Sequence, residues 1–290
     1  MKSIVYFTRE ITPEAVVRLY EKLGVTLNGK VAIKVHSGEA GNQNFIRPEF
    51  WEPIISLVGG TVVECNTAYP GQRETTEKHI KTLKRHGWSD FYETEILDGE
   101  REDLVLEIPN GRVIQKNYVG GGLVDYSSVL VLSHFKGHPS GGFGGALKQL
   151  SIGFASSYGK KYIHGAGSTD NFWHTEQNAF LDSMAEAASS VVDYIQSKGG
   201  NLVYVNVMKN MSVDCDCCAK AEDPCMSDIG MLISLDPVAI DRACVDLVYQ
   251  SNDRGRDHMI ERIESRNGIR TVNTAEALGI GSTEYEVIEI

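Results

Sequence analysis

The chain has 290 residues, 42% apolar and 23% charged, the composition of a globular protein with an ample core. A formal net charge of −11 argues against partners recognised through phosphate attraction, so no nucleic-acid role is expected. No run approaches the ~20 apolar residues of a membrane span, and MKSIVYFTREITPEAV holds no signal-peptide core. A cytoplasmic protein without membrane contact is the expectation.

In chain order, SIVYFT reads as a strand and TPEAVVRLYEKLG as a helix, with Thr12 as cap, Pro13 in the first turn and Gly24 as stop. KVAIKV is a buried strand that ends at His36 and the polar loop HSGEAGNQNF. RPEFWEPIISLVGG predicts a helix that Pro53 is placed to shorten, and TVVECNT a third strand. A helix over GQRETTEKHIKTLKRHG and a strand at TEILD come next. EDLVLEIPNGRVIQKNYVG has the pattern of a hairpin turning at Asn110-Gly111. SSVLVLSHF is a buried strand, GGALKQLSIGFASS a helix, and NAFLDSMAEAASSVVDYIQSKGG a long helix with a Gly-Gly stop. NLVYVNVM is a strand feeding the cysteines. DIGMLISLDPVAIDRACVDLVYQ is a strand and then a helix opened by Asp236 and Pro237. Short helices and a last strand, YEVIEI, finish the chain. This alternation predicts an α/β fold, a largely parallel sheet flanked by helices. Residues 1–290 read as one domain with room for a small second lobe and no separate ferredoxin domain.

Chemistry-bearing residues concentrate in SHFKGHPSGGFGGALKQLSIGF, just after a buried strand. Ligands of open parallel sheets collect at such carboxyl ends. His134 and His138 are candidate catalytic imidazoles and Lys148 a candidate catalytic amine, with Lys136 and His164 nearby. Gly141, Gly142, Gly144 and Gly145 would let the backbone approach a ligand closely. A helix starting near Gly145 would offer free N–H groups to an anion. Neither a Walker ending nor a dinucleotide fingerprint is present. Lys160 and Lys161 form a further basic pair.

Four of the six cysteines lie close together in DCDCCAKAEDPC: Cys215, Cys217, Cys218 and Cys225. Clustered thiols in a reduced compartment suggest metal or redox chemistry. The irregular spacing favours an iron–sulfur cluster, 4Fe-4S above others, over zinc; free thiols are the remaining alternative. Cys65 and Cys244 sit in apolar segments and read as structural. His36, Glu39, Asn42, Asn44 and Arg47 form a second polar loop, and Asn66, Tyr69 and Arg73 a third. STDNFWHTEQN reads as a helix cap with a partly buried aromatic, and Asp241 as a surface carboxylate.

The blocks SHFKGHPSGGFGGALKQLSIGFASSYGKKYIH and DIGMLISLDPVAIDRACVDLV resemble the two hallmark blocks of the family called domain of unknown function 362. The resemblance covers most of the chain and implies a cysteine site before the second block, in a family whose activity is largely unassigned. His138, the glycine run, Lys148 and His164 are also similar, in order and rough spacing, to a segment of the nickel-pincer lactate racemases. That weaker resemblance implies Lys148 anchoring a nickel-bearing nucleotide, His164 binding the metal and His138 moving protons.

These readings combine into an iron–sulfur oxidoreductase acting on a small anionic molecule, with a ferredoxin-like protein as a candidate electron donor. The alternatives are a non-catalytic iron–sulfur carrier and a zinc- or nickel-dependent isomerase. Each enzymatic reading requires two segments remote in sequence to meet at one cleft.

Overall fold

The computed structural model describes residues 2–290. The first half of the chain winds as β1 (Ser3–Thr8), α1 (Pro13–Leu23), β2 (Val31–Lys34), α2 (Pro48–Val58), β3 (Thr61–Glu64), α3 (Thr76–Arg85), α4 (Trp88–Phe91) and β4 (Thr94–Ile96). Thr12 caps α1 by accepting from the Ala15 N–H at 3.3 Å, and Gly24 ends it with φ of 60°. Pro53 does not shorten α2, which continues to Val58 with Trp51, Ile54 and Ile55 buried. Tertiary packing outweighs the local cost of a helical proline.

A hairpin follows, β5 (Leu104–Glu107) and β6 (Lys116–Val119), joined through Asn110 and Gly111. Then come β7 (Ser128–His134), a second hairpin of β8 (Lys136–His138) and β9 (Gly142–Gly144), α5 (Ala146–Lys148) and α6 (Ser157–His164). The last third is α7 (Gln177–Ser197), β10 (Leu202–Met208), β11 (Gly230–Ser234), α8 (Pro237–Gln250), α9 (Arg256–Ser265), α10 (Ile269–Ala277) and β12 (Tyr285–Glu289).

Eight strands form one sheet in the order β12-β1-β11-β10-β7-β2-β3-β4. Pairing is parallel everywhere except on the two sides of β11, so β11 alone runs against the rest. Alternation splits the side chains between two cores. Val129 and Val131 of β7 face α7 and α8, while Leu130 and Leu132 face α1 and α2. Helices on both faces explain why these strands read as continuous apolar runs. The two small hairpins are separate two-stranded sheets packed on this body.

From β2 the chain steps outward to β3 and β4, then returns to place β7 on the opposite side of β2. The order reverses there, and a crevice opens at the carboxyl ends of β2 and β7.

The glycine-rich segment departs from the expected helix. Its glycines make the β8–β9 hairpin, and the helix after it is one α-turn followed by a π-helical stretch, Gln149–Gly153. Asp241 is the reason the turn holds. It lies on α8, is 0% exposed rather than a surface residue, and accepts from the N–H groups of Ala146 at 2.7 Å and Leu147 at 2.9 Å. Asn206 Nδ2 donates to it as well, at 2.8 Å. Gly145 is needed because a Cβ there would strike the Asp241 carboxylate. The free N–H groups expected to bind an anion are therefore taken by the protein itself.

Removing this carboxylate leaves three buried donors unmatched, each costing about 1–3 kcal/mol. Asp241→Ala should lower unfolding free energy by about 3 kcal/mol or more in urea titrations. A loss under about 0.5 kcal/mol would show that the turn does not depend on Asp241.

Candidate functional site: a sulfur and imidazole centre beside a cationic cavity

The crevice floor begins with charged residues inside strands. Lys34 closes β2 and Glu64 closes β3, and their Nζ and Oε2 are 2.8 Å apart. The other Glu64 oxygen accepts from the Ser37 N–H at 2.7 Å and lies 3.7 Å from Arg73. Arg73 also meets Glu39 at 3.2 Å. Burial pushes the Glu64 carboxyl upward, but Lys34, His36 and Arg73 outweigh it and hold it well below the usual carboxylate range. The network is buried and paired, as charges in a low-dielectric interior must be.

On the β7 side, Asp216 gathers the parts. Its carboxylate accepts from His134 Nδ1 at 3.0 Å and from Lys136 Nζ at 2.8 Å. His134 Nε2 faces the Lys209 carbonyl, so both ring nitrogens are occupied and His134 stands behind the cavity rather than in it. Burial opposes the Asp216 charge, but His134 and Lys136 depress its pKa far below the usual range. Asp216 belongs to the loop between β10 and β11, so this contact pins the cysteine loop to the end of β7. The polar loop after β2 completes the clamp: Asn42 donates to the Cys218 carbonyl at 2.8 Å, Asn44 to that of Glu222 at 2.8 Å, and Gln43 to that of Ala221 at 2.7 Å. Gly137 donates to the Ser212 carbonyl at 2.8 Å, and a Cβ at Gly137 would strike Val213.

The clamp brings Cys215 and Cys217 against His138 and Lys148. Cys215 is 0% exposed; its sulfur lies 3.6 Å from Lys148 Nζ and 3.4 Å from the Cys217 N–H. Burial alone would raise its pKa. The hydrogen bond with Cys217 and the electrostatic effects of Lys148, Lys136 and His138 reverse that and hold its pKa well below the usual thiol range. The Cys217 thiol is pushed up by its contacts with Cys215 and Cys218. His138 Nε2 is 3.9 Å from Cys217 Sγ. Its Nδ1 accepts from the N–H groups of Ser140 at 3.1 Å and Gly141 at 2.8 Å, which puts the proton of the neutral ring on Nε2. One ligand atom each of His138, Cys215 and Cys217 lies within 4.8 Å of the others, close enough to share a metal ion.

A cavity of about 250 Å³ opens beside this centre. His138, Cys217, Lys148, Lys160, Arg73 and His164 all contribute to its wall. Lys148 and Lys160 have no carboxylate within ion-pair distance among the described residues, unlike Lys34 and Arg73. The cavity wall therefore holds four basic side chains, Lys34, Arg73, Lys148 and Lys160, against one carboxylate, Glu64, in a protein that is acidic as a whole. His164 stacks on Phe180, with ring centroids 4.6 Å apart, and packs at a tilt against Trp173 at 4.8 Å. Trp173 is 52% exposed and borders the cavity, and Glu176 caps α7.

The residues singled out in the sequence thus separate. His138, Lys148, Cys215 and Cys217 meet; Cys218 touches Cys217 from the rim. Cys225 lies apart, its N–H and Sγ both bonded to the Met211 carbonyl at 2.9 and 3.2 Å. Gly141, Gly142, Gly144 and Gly145 do not line the cavity; Gly142 packs against Gly268 and Gly145 against Asp241. Arg47 lies over the Phe45 ring at 4.0 Å, outside the cavity. Cys65 and Cys244 are buried, although Cys65 also borders the cavity. Lys34 and Glu64 were not singled out; charged residues interrupting apolar strands were the available signal.

Fold and site together define an α/β protein with a possible metal-binding centre at the switch point of its sheet. The sequence matches the family model Domain of unknown function (DUF362) over residues 31–246, and the chain belongs to that family. No curated protein matches it. Among solved structures it is similar to the lactate racemase apoprotein from Thermoanaerobacterium thermosaccharolyticum, at 13% identity and a TM-score of 0.45, over 81% of this chain and 55% of that one. It is also similar to a protein from Thermotoga maritima, at 15% identity and a TM-score of 0.45, over 91% of this chain and 58% of that one. The chain spans little more than half the length of either.

The cavity wall has a measurable pH signature. Burial, helped by electrostatic coupling to the neighbouring basic groups His138, Lys148 and Lys160, lowers the His164 pKa to about 3. The folded protein keeps this ring neutral while the unfolded chain protonates it below about pH 6.5, so stability is complete above that pH and falls as pH drops toward 3. His164→Phe, which keeps the stack, should lose less than the parent between pH 7.5 and 5, by up to about 2 kcal/mol. Parallel stability curves would mean that His164 titrates as it does in the unfolded chain.

Proposed function

We propose that the protein is a metal-dependent enzyme that binds a small organic anion in the cationic cavity and acts on it beside Cys215, Cys217 and His138. The observation that carries this reading is the convergence of two sulfurs and an imidazole within 4.8 Å at the wall of that cavity. Three protein ligands with a side open to a cavity is the pattern of catalytic rather than structural sites. Two thiolates and an imidazole suit zinc or iron.

His138 tests the fit. Ligation through Nε2 requires the proton on Nδ1, which costs two neutral hydrogen bonds at about 1 kcal/mol each. Metal binding at thiolate sites contributes about 10–16 kcal/mol, so the metal wins that competition. A bound ion would polarise an oxygen of the anion, and iron would add electron transfer, making the enzyme an oxidoreductase with a ferredoxin-like donor. The chain's own residues do the rest. Lys148, at the cavity wall, attracts the anion, and the apolar wall at Ile152 and Trp173 limits water. About 250 Å³ suits a small organic acid better than a nucleotide, which weighs against a nickel-bearing nucleotide, and Lys148 is already engaged by Cys215. A four-thiolate iron–sulfur cluster has less support because Cys225 lies apart.

A second reading, a metal-free redox pair of Cys215 thiolate and Cys217 thiol, is favoured by the two backbone donors on His138 Nδ1. Anaerobic purification with metal and sulfide analysis separates the readings. The first expects about one zinc or iron per chain without sulfide. Cys217→Ser should lower metal affinity at least ~10-fold, with Cys225→Ser unchanged. Metal-free protein that resists reconstitution would remove the metal reading, and iron with equivalent sulfide lost in both variants would restore the cluster.

A further inference from the structure

Lys160 is a buried amine without a counter-charge. It is 7% exposed, lies on α6 and forms part of the cavity wall; its Nζ donates to the Ala155 carbonyl. The other two buried lysines among the described residues each have a carboxylate partner: Lys34 has Glu64 and Lys136 has Asp216. An unpaired ammonium in such a place costs several kcal/mol, and the neutral amine avoids that cost. His164, one helical turn along, borders the same cavity and is itself held neutral.

We propose that Lys160 captures its substrate covalently, its amine adding to the carbonyl carbon of a small carboxylate-bearing aldehyde or ketone to form an imine. The nitrogen lone pair forms the C–N bond while the carbonyl π pair moves to oxygen, which takes a proton. The hydroxyl of that adduct then leaves as water, with the remaining nitrogen lone pair completing C=N. Overall, amine and carbonyl give imine and water, with no electrons gained or lost. The two protons lost from the nitrogen are the two that the departing oxygen gains. Burial lowers the Lys160 pKa and Lys34 adds to this, against the opposing effects of Cys65, Asp98 and Glu64. A carboxylate on the substrate would be held by Lys148. The inference rests on the organic-anion reading of the cavity and is independent of which metal, if any, is bound.

The test is reductive trapping of the full chain with pyruvate or glyoxylate and cyanoborohydride, read by intact mass and peptide mapping, with thermal shifts recorded for pyruvate and for acetate. The expected result is one reduced adduct, at Lys160, forming faster than at any exposed lysine, because a lowered pKa leaves more free amine. Lys160→Arg should abolish it while keeping the thermal shift. A thermal shift without an adduct at Lys160 overturns covalent capture and leaves the anion site standing. Adducts spread over exposed lysines at equal rates also overturn it. Neither shift nor adduct overturns both the capture and the anion-binding reading.

Discussion

The carboxylate of Asp216 decides where the cysteines go. It sits between Cys215 and Cys217 and takes hydrogen bonds from His134, the last residue of β7, and Lys136, the first of β8. A carboxylate buried this completely is tolerable only when its charge is matched, and these two donors match it. The contact therefore fixes position as well as charge. It draws the loop after β10 across the crevice, and the sulfurs arrive against His138 and Lys148 as a consequence. His134 and Lys136 serve the centre by placing it, and His138 and Lys148 by touching it.

Around that hook, the crevice is divided between a paired floor and a basic wall. Lys34, Glu64, Arg73 and Glu39 neutralise one another and form the floor. Lys148 and Lys160 lie outside that network and line the cavity, so an acidic protein surrounds a small interior space with basic side chains. Asp241 does for the glycine-rich turn what Asp216 does for the cysteine loop. It occupies the N–H groups of Ala146 and Leu147 and thereby sets the turn from which Lys148 reaches Cys215. Two buried aspartates, one on a loop and one on a helix, hold the two halves of the centre.

Much of the architecture was legible because it is local. Thr12, Gly24, Asp236 and Pro237 mark helix ends through contacts within a few residues, and the unbroken apolar strands report burial on both faces. The residues of the centre were legible as types but not as a set. Cys225 is near Cys217 in sequence, yet the chain turns back to bond it to Met211. Asp241 read as an outward residue of α8 because its donors lie 94 and 95 positions away. The glycines suggested a ligand loop, whereas steric contacts with Asp241, Gly268 and Val213 account for Gly145, Gly142 and Gly137. Such long-range reasons leave no periodicity to read.

The central claim is that segments far apart in the chain build one coordination site. X-ray absorption at the metal edge of reconstituted protein tests it most directly. The account predicts a shell of sulfur and nitrogen near a two-to-one ratio, with metal–sulfur distances of about 2.3 Å and metal–nitrogen distances of about 2.0–2.1 Å if the ion is zinc. A shell of four sulfurs, or one of oxygen alone, would contradict it.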